Sequence, residues 1–176
     1  MWPWGHLAFG ALIYYGYRRI RRLGVSPVVV GIALAFGTQF PDIVDKPLAW
    51  NLGLLPNGRS LAHSIFTFFI VAVVLTRIGR DREQQELTTA FLVGYVSHIV
   101  SDLIPLVLRG NLYYATFVLW PLLPPVDYGQ EIGFIARIEA LDITAGLLVQ
   151  LAIVLVLIIY WYVRARAAHR PPPRHD

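Results

Sequence analysis

A run of apolar residues from position 87 to 108 contains a histidine and an aspartate four residues apart, His98 and Asp102. On an α-helix this spacing places both side chains on one face, about 6 Å apart. The run is long enough to cross a bilayer, where ionisable side chains are costly to bury and usually have a functional reason. Two interpretations are open at this point: a functional site inside a membrane helix, or a buried hydrogen bond that holds helices together.

The composition indicates a polytopic membrane protein. The 176 residues suffice for a single domain, and 56% of them are hydrophobic and arranged in long blocks. The absence of cysteine excludes disulfides and thiolate metal sites, so a metal must be bound by histidine nitrogen and carboxylate oxygen. In a membrane protein an excess of basic residues, here a net charge of +4, is explained first by its orientation in the membrane. We therefore expect no nucleic-acid partner.

The apolar runs predict an all-α fold with five transmembrane helices. We expect these helices over residues 6–17, 25–40, 61–78, 87–108 and 141–163, with Pro41 ending the second and Ser60 capping the third. Residues 113–123 are apolar but too short to span, which favours an interfacial or re-entrant segment. Residues 1–163 would then form one membrane domain, and residues 164–176 a disordered basic cytoplasmic tail.

Most of the basic residues fall on one side of these helices. If the turn Arg18–Arg22 is cytoplasmic, 11 of the 15 lysines and arginines lie on the cytoplasmic side. The exceptions are Lys46, Arg59, Arg109 and Arg137. By the positive-inside rule, this distribution predicts a multi-pass protein of the inner (plasma) membrane with its N-terminus outside and its C-terminus inside.

This topology brings histidines and carboxylates together near the outer face: His6, Asp42, Asp45, His63, His98 and Asp102. Asp102 would lie about 9 Å below the outer end of its helix, and His98 one turn deeper. Nitrogen and oxygen ligands without sulfur favour a divalent metal, zinc first and manganese or iron next. A bridging carboxylate would hold two ions, an arrangement that activates water in phosphoester cleavage.

The order of these residues resembles that of a bacterial and archaeal family, the predicted inner-membrane metal-dependent hydrolases (YdjM-like). The resemblance rests on His6, Phe40–Asp45, Arg59–Ser64, Ser97–Asp102 and Leu119–Pro121, and it covers residues 1 to about 125. The ligand order is also similar to that of zinc-dependent phospholipase C and related single-strand nucleases, which build a multi-zinc phosphoesterase site.

The resemblance implies five metal ligands, with Asp102 as the bridge between ions: His6, Asp42, His63, His98 and Asp102. Two departures reduce the implied number of ions to one or two. Gly58 stands where many members of the membrane family have histidine. The further histidine and the His-x-x-x-Glu pair of the phospholipase pattern have no counterpart outside the predicted cytoplasmic tail.

We therefore expect a metal-dependent phosphoesterase that acts on an amphipathic, lipid-like substrate through metal-activated water. Arg59 and Lys46 would hold the phosphate, and Asp45 would be either a ligand or the general base. Two alternatives from other classes remain: a metal-binding transporter or sensor without hydrolytic activity, and a structural membrane protein whose polar cluster locks helix packing.

Overall fold

A computed structural model describes residues 2–20, 27–129, 139 and 142–168, and these residues are helical or irregular, without strands. The helices are α1 (Pro3–Ile20), α2 (Pro27–Lys46), α3 (Ile65–Ile78), α4 (Arg82–Leu108), α5 (Leu112–Ala115) and α6 (Ala145–Ala168). A π-helical turn, Pro47–Asn51, extends α2, and a 3-10 turn, Thr116–Leu119, follows α5. The predicted all-α class is confirmed.

The two central helices, α2 and α4, pack so closely that their backbones touch. A Cβ atom at Gly37 would lie 2.1 Å from the carbonyl oxygen of Phe91, and one at Gly94 would lie 2.5 Å from that of Leu34. Small residues at such a crossing allow close packing, which drives helix association where no hydrophobic effect is available. This close packing therefore fixes the position of Asp42 on α2 relative to His98 on α4.

The five long helices alternate in direction. Asp42 and His98 meet near the C-terminal ends of α2 and α4, so these two helices run parallel. α1 runs the opposite way, since its first turns carry His6 to the same end. α6 runs with α1, because Gln150 accepts a hydrogen bond from the Trp2 backbone N–H at that end. α3 begins at that end as well and returns along α4.

The interior of the bundle has a polar end, which contains the buried histidines and aspartates, and an apolar part. Away from the polar end, an apolar cluster is formed by Tyr14, Val30, Leu34 and Ala90. The outer surface is rich in exposed large apolar side chains, especially along α3 and α6. Ile70 and Leu155, for example, are 64% and 57% exposed. An apolar exterior of this extent is expected where the surrounding solvent is lipid.

The structure has a helix at each of the five predicted positions, but the predicted count of five spans is not reproduced. Among the described residues, two stretches are long and apolar enough to cross a membrane, Val28–Asn51 and Arg82–Leu108. α3, at 14 residues, is about 21 Å long, and a span needs about 20 residues. In α6, the apolar stretch whose side chains are all described, Ala145–Tyr160, is also shorter than a span.

Two predicted helix boundaries were wrong. α2 does not stop at Pro41 but continues for another turn and more, so Asp42 and Asp45 lie on the helix instead of in a loop. Proline removes one helical hydrogen bond without preventing continuation when the surrounding packing holds the helix. The N-cap of α3 is Ser64, not Ser60: its side chain accepts a hydrogen bond from the Phe66 N–H.

The remaining segments bear on earlier predictions. Residues 113–123, predicted to be interfacial, form the short helix α5 and the 3-10 turn, with exposed Leu112 and Leu122. α6 runs through Ala168, so the first residues of the predicted disordered tail are helical. The rest of that tail, the second half of the basic turn at Arg18–Arg22 and Arg137 lie outside the described residues.

Candidate metal centre

All five predicted ligands meet at the end of the bundle where α1 and α3 begin and α2 and α4 end. They fall into two groups that share one histidine: His6, His98 and Asp102 in the first, and Asp42, His63 and His98 in the second. Within each group, one ligand atom from every residue lies within 4.8 Å of the others. Asp42 is partly exposed and the rest are buried, so water reaches the cluster from the Asp42 side.

Each of the three histidine rings in the cluster is held through its Nδ1 atom. His63 Nδ1 lies 2.8 Å from Asp45 Oδ2, and His98 Nδ1 lies 2.6 Å from the carbonyl oxygen of Thr38. His6 Nδ1 lies 2.8 Å from Ser101 Oγ, whose own proton goes to the His98 carbonyl. Since these oxygens act as acceptors, the network assigns the proton of each neutral ring to Nδ1. The Nε2 atom of each ring is left to bind a cation.

The Nε2 atoms of the second group surround one point. His63 Nε2 and His98 Nε2 are 3.2 Å apart, and Asp42 Oδ1 lies 3.6 and 3.7 Å from them. Ligands at 2.0–2.1 Å from a tetrahedral zinc ion are separated from one another by about 3.3 Å. Two lone pairs and a carboxylate at such distances are mutually repulsive unless a cation lies between them. The residues therefore fit a divalent metal in number, chemistry and spacing.

The first group supplies ligands beside this point. His6 stacks on His98 with ring centroids 3.7 Å apart, and its Nε2 lies 3.6 Å from Asp102 Oδ1. Because Nδ1 of His98 is held by the Thr38 carbonyl, only its Nε2 can bind a metal. One nitrogen binds one ion, so His98 can complete only one of the two groups at a time.

The two cations predicted to hold phosphate each pair with a candidate ligand. Arg59 Nε lies 2.9 Å from Asp102 Oδ2, and Lys46 Nζ lies 2.6 Å from Asp42 Oδ2. Burial would lower the pKa of Arg59, but the charge of Asp102 outweighs it and raises that pKa above its usual value. Both side chains remain partly exposed, at 29% for Arg59 and 22% for Lys46. Each cation thus orients one carboxylate while part of it stays accessible.

Asp45 lies behind His63, on the far side of the ring from the other ligands. Its carboxylate is fully buried and accepts hydrogen bonds from three backbone N–H groups, of Ser60, Ala62 and His63, in addition to the ring. Burial opposes a charged His63, but the neighbouring carboxylates of Asp42 and Asp45 outweigh this effect and raise the pKa of the ring. Asp45 belongs to neither of the two ligand groups, and its role as a ligand or a general base stays a prediction.

The loop that carries His63 is held by three contacts with two other segments, α4 and the 3-10 turn with its C-cap residue Trp120. Tyr95 of α4 donates a hydrogen bond to the Ala62 carbonyl, and Ser64 donates one to the Trp120 carbonyl. Phe117 of the 3-10 turn packs edge-on against the His63 ring. A cavity of about 330 Å³ includes Asp42 in its lining and no residue of the loop 60–64. The loop therefore covers the cluster at His63, and the cavity gives access to it at Asp42.

Some of the supporting groups could not be found by sequence reasoning. His98 is held by the Thr38 carbonyl, and Asp45 is held by backbone amides. Backbone groups occur at every residue, so the sequence does not distinguish the ones that support the site. Ser101, by contrast, had a usable signal, because it lies three residues after His98 on the same buried face of α4. Its role as the partner of His6 depends on a contact between residues 95 positions apart.

An all-helical bundle with an apolar exterior and a buried histidine–aspartate cluster defines a membrane protein with a candidate metal centre. The chain belongs to the YdjM inner membrane protein family, whose model matches residues 1–169. The YdjM-like family predicted from the sequence is therefore confirmed, and the metal-dependent hydrolase activity stays a prediction. No curated protein and no solved structure matches the chain.

Proposed function

We propose that this protein is an integral-membrane, metal-dependent hydrolase that cleaves a phosphoester in an amphipathic, lipid-like substrate. The observation that carries the proposal is the convergence of His63 Nε2, His98 Nε2 and Asp42 Oδ1 at 3.2–3.7 Å from one another. Each histidine is held by an oxygen on its other nitrogen, the usual support for a metal ligand. A cluster that only locked helices together would need no lone pairs facing each other.

Zinc is the favoured ion, because the ligand atoms are imidazole nitrogen and carboxylate oxygen at tetrahedral spacing; manganese and iron are the alternatives. When bound, a divalent ion supplies Lewis acidity, which polarises phosphoryl oxygens and acidifies water. The residues of the chain hold the reactants around it. His6 and Asp102 lie next to His98 and would hold a second ion or the attacking water there.

The cavity beside Asp42 supports an amphipathic, anionic substrate. Its wall includes Lys46, which is a cation, together with apolar and aromatic groups from Ile43, Pro47 and Trp50. A phosphate would meet Lys46 next to the metal ligands, and an apolar portion would lie along the remaining wall. Ile43 is 52% exposed on the lipid-facing surface, so the apolar wall of the cavity continues toward the membrane.

The alternating helix directions support a multi-pass topology with the cluster at the outer face. Since α2 and α4 run parallel, the chain between them must return across the membrane if both helices span it. α3 is the return segment, and the buried residues of the loop before it extend its reach within the protein. With the basic residues placed inside, the N-terminus is outside. We propose five crossings on this basis.

The transporter or sensor interpretation is less well supported. A transport path requires polar groups that continue to the other side of the membrane. The buried core at the opposite end of the bundle consists of Tyr14, Val30, Leu34 and Ala90, which are mainly apolar. Among the described residues the candidate metal ligands occupy one end of the bundle only, which favours a reaction at one face.

The test is a hydrolysis screen on the full-length protein in detergent, with a phospholipid and a water-soluble phosphoester as substrates. We expect activity that is lost on chelation, restored by zinc, manganese or iron, and absent from His63→Ala. Activity on the phospholipid alone would support a lipid-like substrate. Metal binding without hydrolysis of any phosphoester would contradict the enzyme proposal and favour a sensor. Wild-type protein that binds no metal would contradict both.

A further inference from the structure

Asp45 is a buried carboxylate with all its contacts inside the protein. Its Oδ1 accepts a hydrogen bond from the Ala62 N–H at 2.7 Å. Its Oδ2 accepts from the Ser60 N–H at 2.9 Å, the His63 N–H at 3.2 Å and the His63 ring at 2.8 Å. Of the four lone-pair positions of a carboxylate, two lie on each oxygen: three donors share Oδ2, and the Ala62 N–H takes one position on the buried Oδ1.

We infer that Asp45 is a positioning residue, which fixes the tautomer and direction of the His63 ring, and that it is neither a metal ligand nor a general base. The inference deepens the proposed function and rests on its metal centre. A ligand or base needs an oxygen open to the ion or to water. Both oxygens of Asp45 point instead at the 60–63 loop and at the Nδ1 side of His63.

The contact with the ring has a direct chemical consequence. A carboxylate can only accept, so the proton of His63 is kept on Nδ1, and the Nε2 lone pair is directed at Asp42 and His98. If the proton moved to Nε2, the ring would present a donor where the metal requires a lone pair. A metal-binding histidine is usually supported in this way, and loss of the support costs about 10–100-fold in metal affinity.

The backbone contacts set the position of the same ring. Three residues of the loop, Ser60, Ala62 and His63, donate their backbone N–H groups to the side chain of Asp45 on α2. Asp45 lies on the last turn of α2 and Asp42 one turn earlier, so both carboxylates are fixed to one rigid helix. The side chain thus sets the distance between His63 and Asp42 as well as the tautomer.

Two substitutions of Asp45 distinguish a positioning role from the roles of metal ligand and general base. In Asp45→Asn, the amide oxygen can replace Oδ2 and keep the ring contact, and the NH2 group then faces the Ala62 N–H, so one hydrogen bond is lost. Asp45→Ala removes every acceptor. If the charge of Asp45 were needed for a ligand or a base, Asn would be as damaging as Ala. If the residue only positions His63, Asn retains much of the function.

A matched control is available in the same loop. Asn57 is buried, and its side chain bonds the Val126 carbonyl, the Arg59 N–H and the Ser60 hydroxyl without contacting His63. Asn57→Ala should therefore lower the melting temperature by loosening the loop. It should leave the His63 tautomer unchanged.

The measurements are zinc affinity and the ¹⁵N NMR spectrum of histidine-labelled full-length protein in detergent, at an alkaline pH where the rings are neutral. We expect Asp45→Ala to lose the Nδ1–H tautomer of His63 and about 10–100-fold in zinc affinity. Asp45→Asn should keep the tautomer and most of the affinity. Should Asp45→Ala not fold, the tautomer and affinity of Asp45→Asn decide the question.

The inference is overturned if Asp45→Asn loses as much affinity as a ligand variant while its tautomer is unchanged, because the charge would then be what matters. It is also overturned if Asp45→Ala keeps both the tautomer and the affinity. A wild-type protein that binds no zinc would contradict the proposed function. The tautomer comparison in metal-free protein would still show whether Asp45 directs the ring.

Discussion

The Nε2 atoms of His63 and His98 face each other at 3.2 Å, although the two rings come from segments 35 residues apart. Asp45 and the Thr38 carbonyl hold the opposite nitrogen of each ring. With both rings neutral, this arrangement places two acceptors against each other, and it becomes favourable when a metal ion is shared between them or when a protonated His63 donates to His98. The relationship is the strongest single indication of a metal centre in the molecule.

Substitution of either ring should therefore remove the metal. We expect His63→Ala and His98→Ala each to lose most of the bound metal, because each deletes one of three converging ligand atoms. Metal content of the purified protein, measured by elemental analysis, tests this expectation. His169→Ala, outside the described residues, is the control and should retain wild-type content. Full metal content in both ring variants would exclude the site described here.

Asp102→Asn distinguishes a metal ligand from a packing contact. The amide oxygen can still accept the hydrogen bond from Arg59 Nε, so we expect the melting temperature of the metal-free protein to change by only a few degrees, equivalent to about 1 kcal/mol. The negative charge toward the metal is lost, and zinc affinity should fall by more than about tenfold. Calorimetry and a competition assay measure the two quantities.

Arg59→Gln is the companion variant to Asp102→Asn. It removes the cation but leaves the carboxylate, whose Oδ1 faces His6. Because the glutamine amide can still donate a hydrogen bond to Asp102 Oδ2, metal affinity should stay within about tenfold of wild type, less than the 10–100-fold typical when such support is lost. Equal losses in Asp102→Asn and Arg59→Gln would indicate that the ion pair, not the ligand, is what the centre needs.

Gly94→Ala should strongly destabilise the helix pair. Its new Cβ atom would lie 2.5 Å from the Leu34 carbonyl oxygen and 2.9 Å from the Thr38 nitrogen, both backbone atoms that cannot move aside. Overpacking of this kind costs about 1–3 kcal/mol. Gly31→Ala in α2 is the matched control, since nothing lies within 4 Å of its added Cβ. There alanine should stabilise the helix by about 0.5–1 kcal/mol. Thermal unfolding in detergent that showed equal effects would contradict the close crossing.

The proposed orientation is testable by labelling single cysteines, because the chain has none of its own. Leu54 is 71% exposed in the loop at the metal end, and Gln85 is exposed in the first turn of α4 at the opposite end. In intact cells an impermeant thiol reagent should label Leu54→Cys and leave Gln85→Cys unlabelled. The reverse pattern would place the cluster in the cytoplasm.

Sequence reasoning succeeded where a residue carries its own signal. His98 and Asp102 were identifiable because ionisable side chains in an apolar helix are costly. It failed at Pro41, since a local rule for ending helices was outweighed by the packing of α2 on α4. It also assigned the α3 cap to Ser60, although this residue is committed to Asp45 and Asn57. The end of α2 and the cap of α3 are determined by contacts between segments distant in the sequence, and a local sequence pattern does not predict such contacts.

Because α2 continues through Pro41, Asp42 and Asp45 are held at a fixed helical spacing, and this spacing matches the two nitrogens of one imidazole ring. The two carboxylates, one helical turn apart, reach opposite nitrogens of His63: Asp42 Oδ1 lies 3.6 Å from Nε2 and Asp45 Oδ2 lies 2.8 Å from Nδ1. Insertion of a single residue between them would rotate one carboxylate by about 100° around the helix and release one nitrogen. We therefore expect an inserted residue to be tolerated in the exposed residues 51–54 and to disrupt the site in this turn of α2.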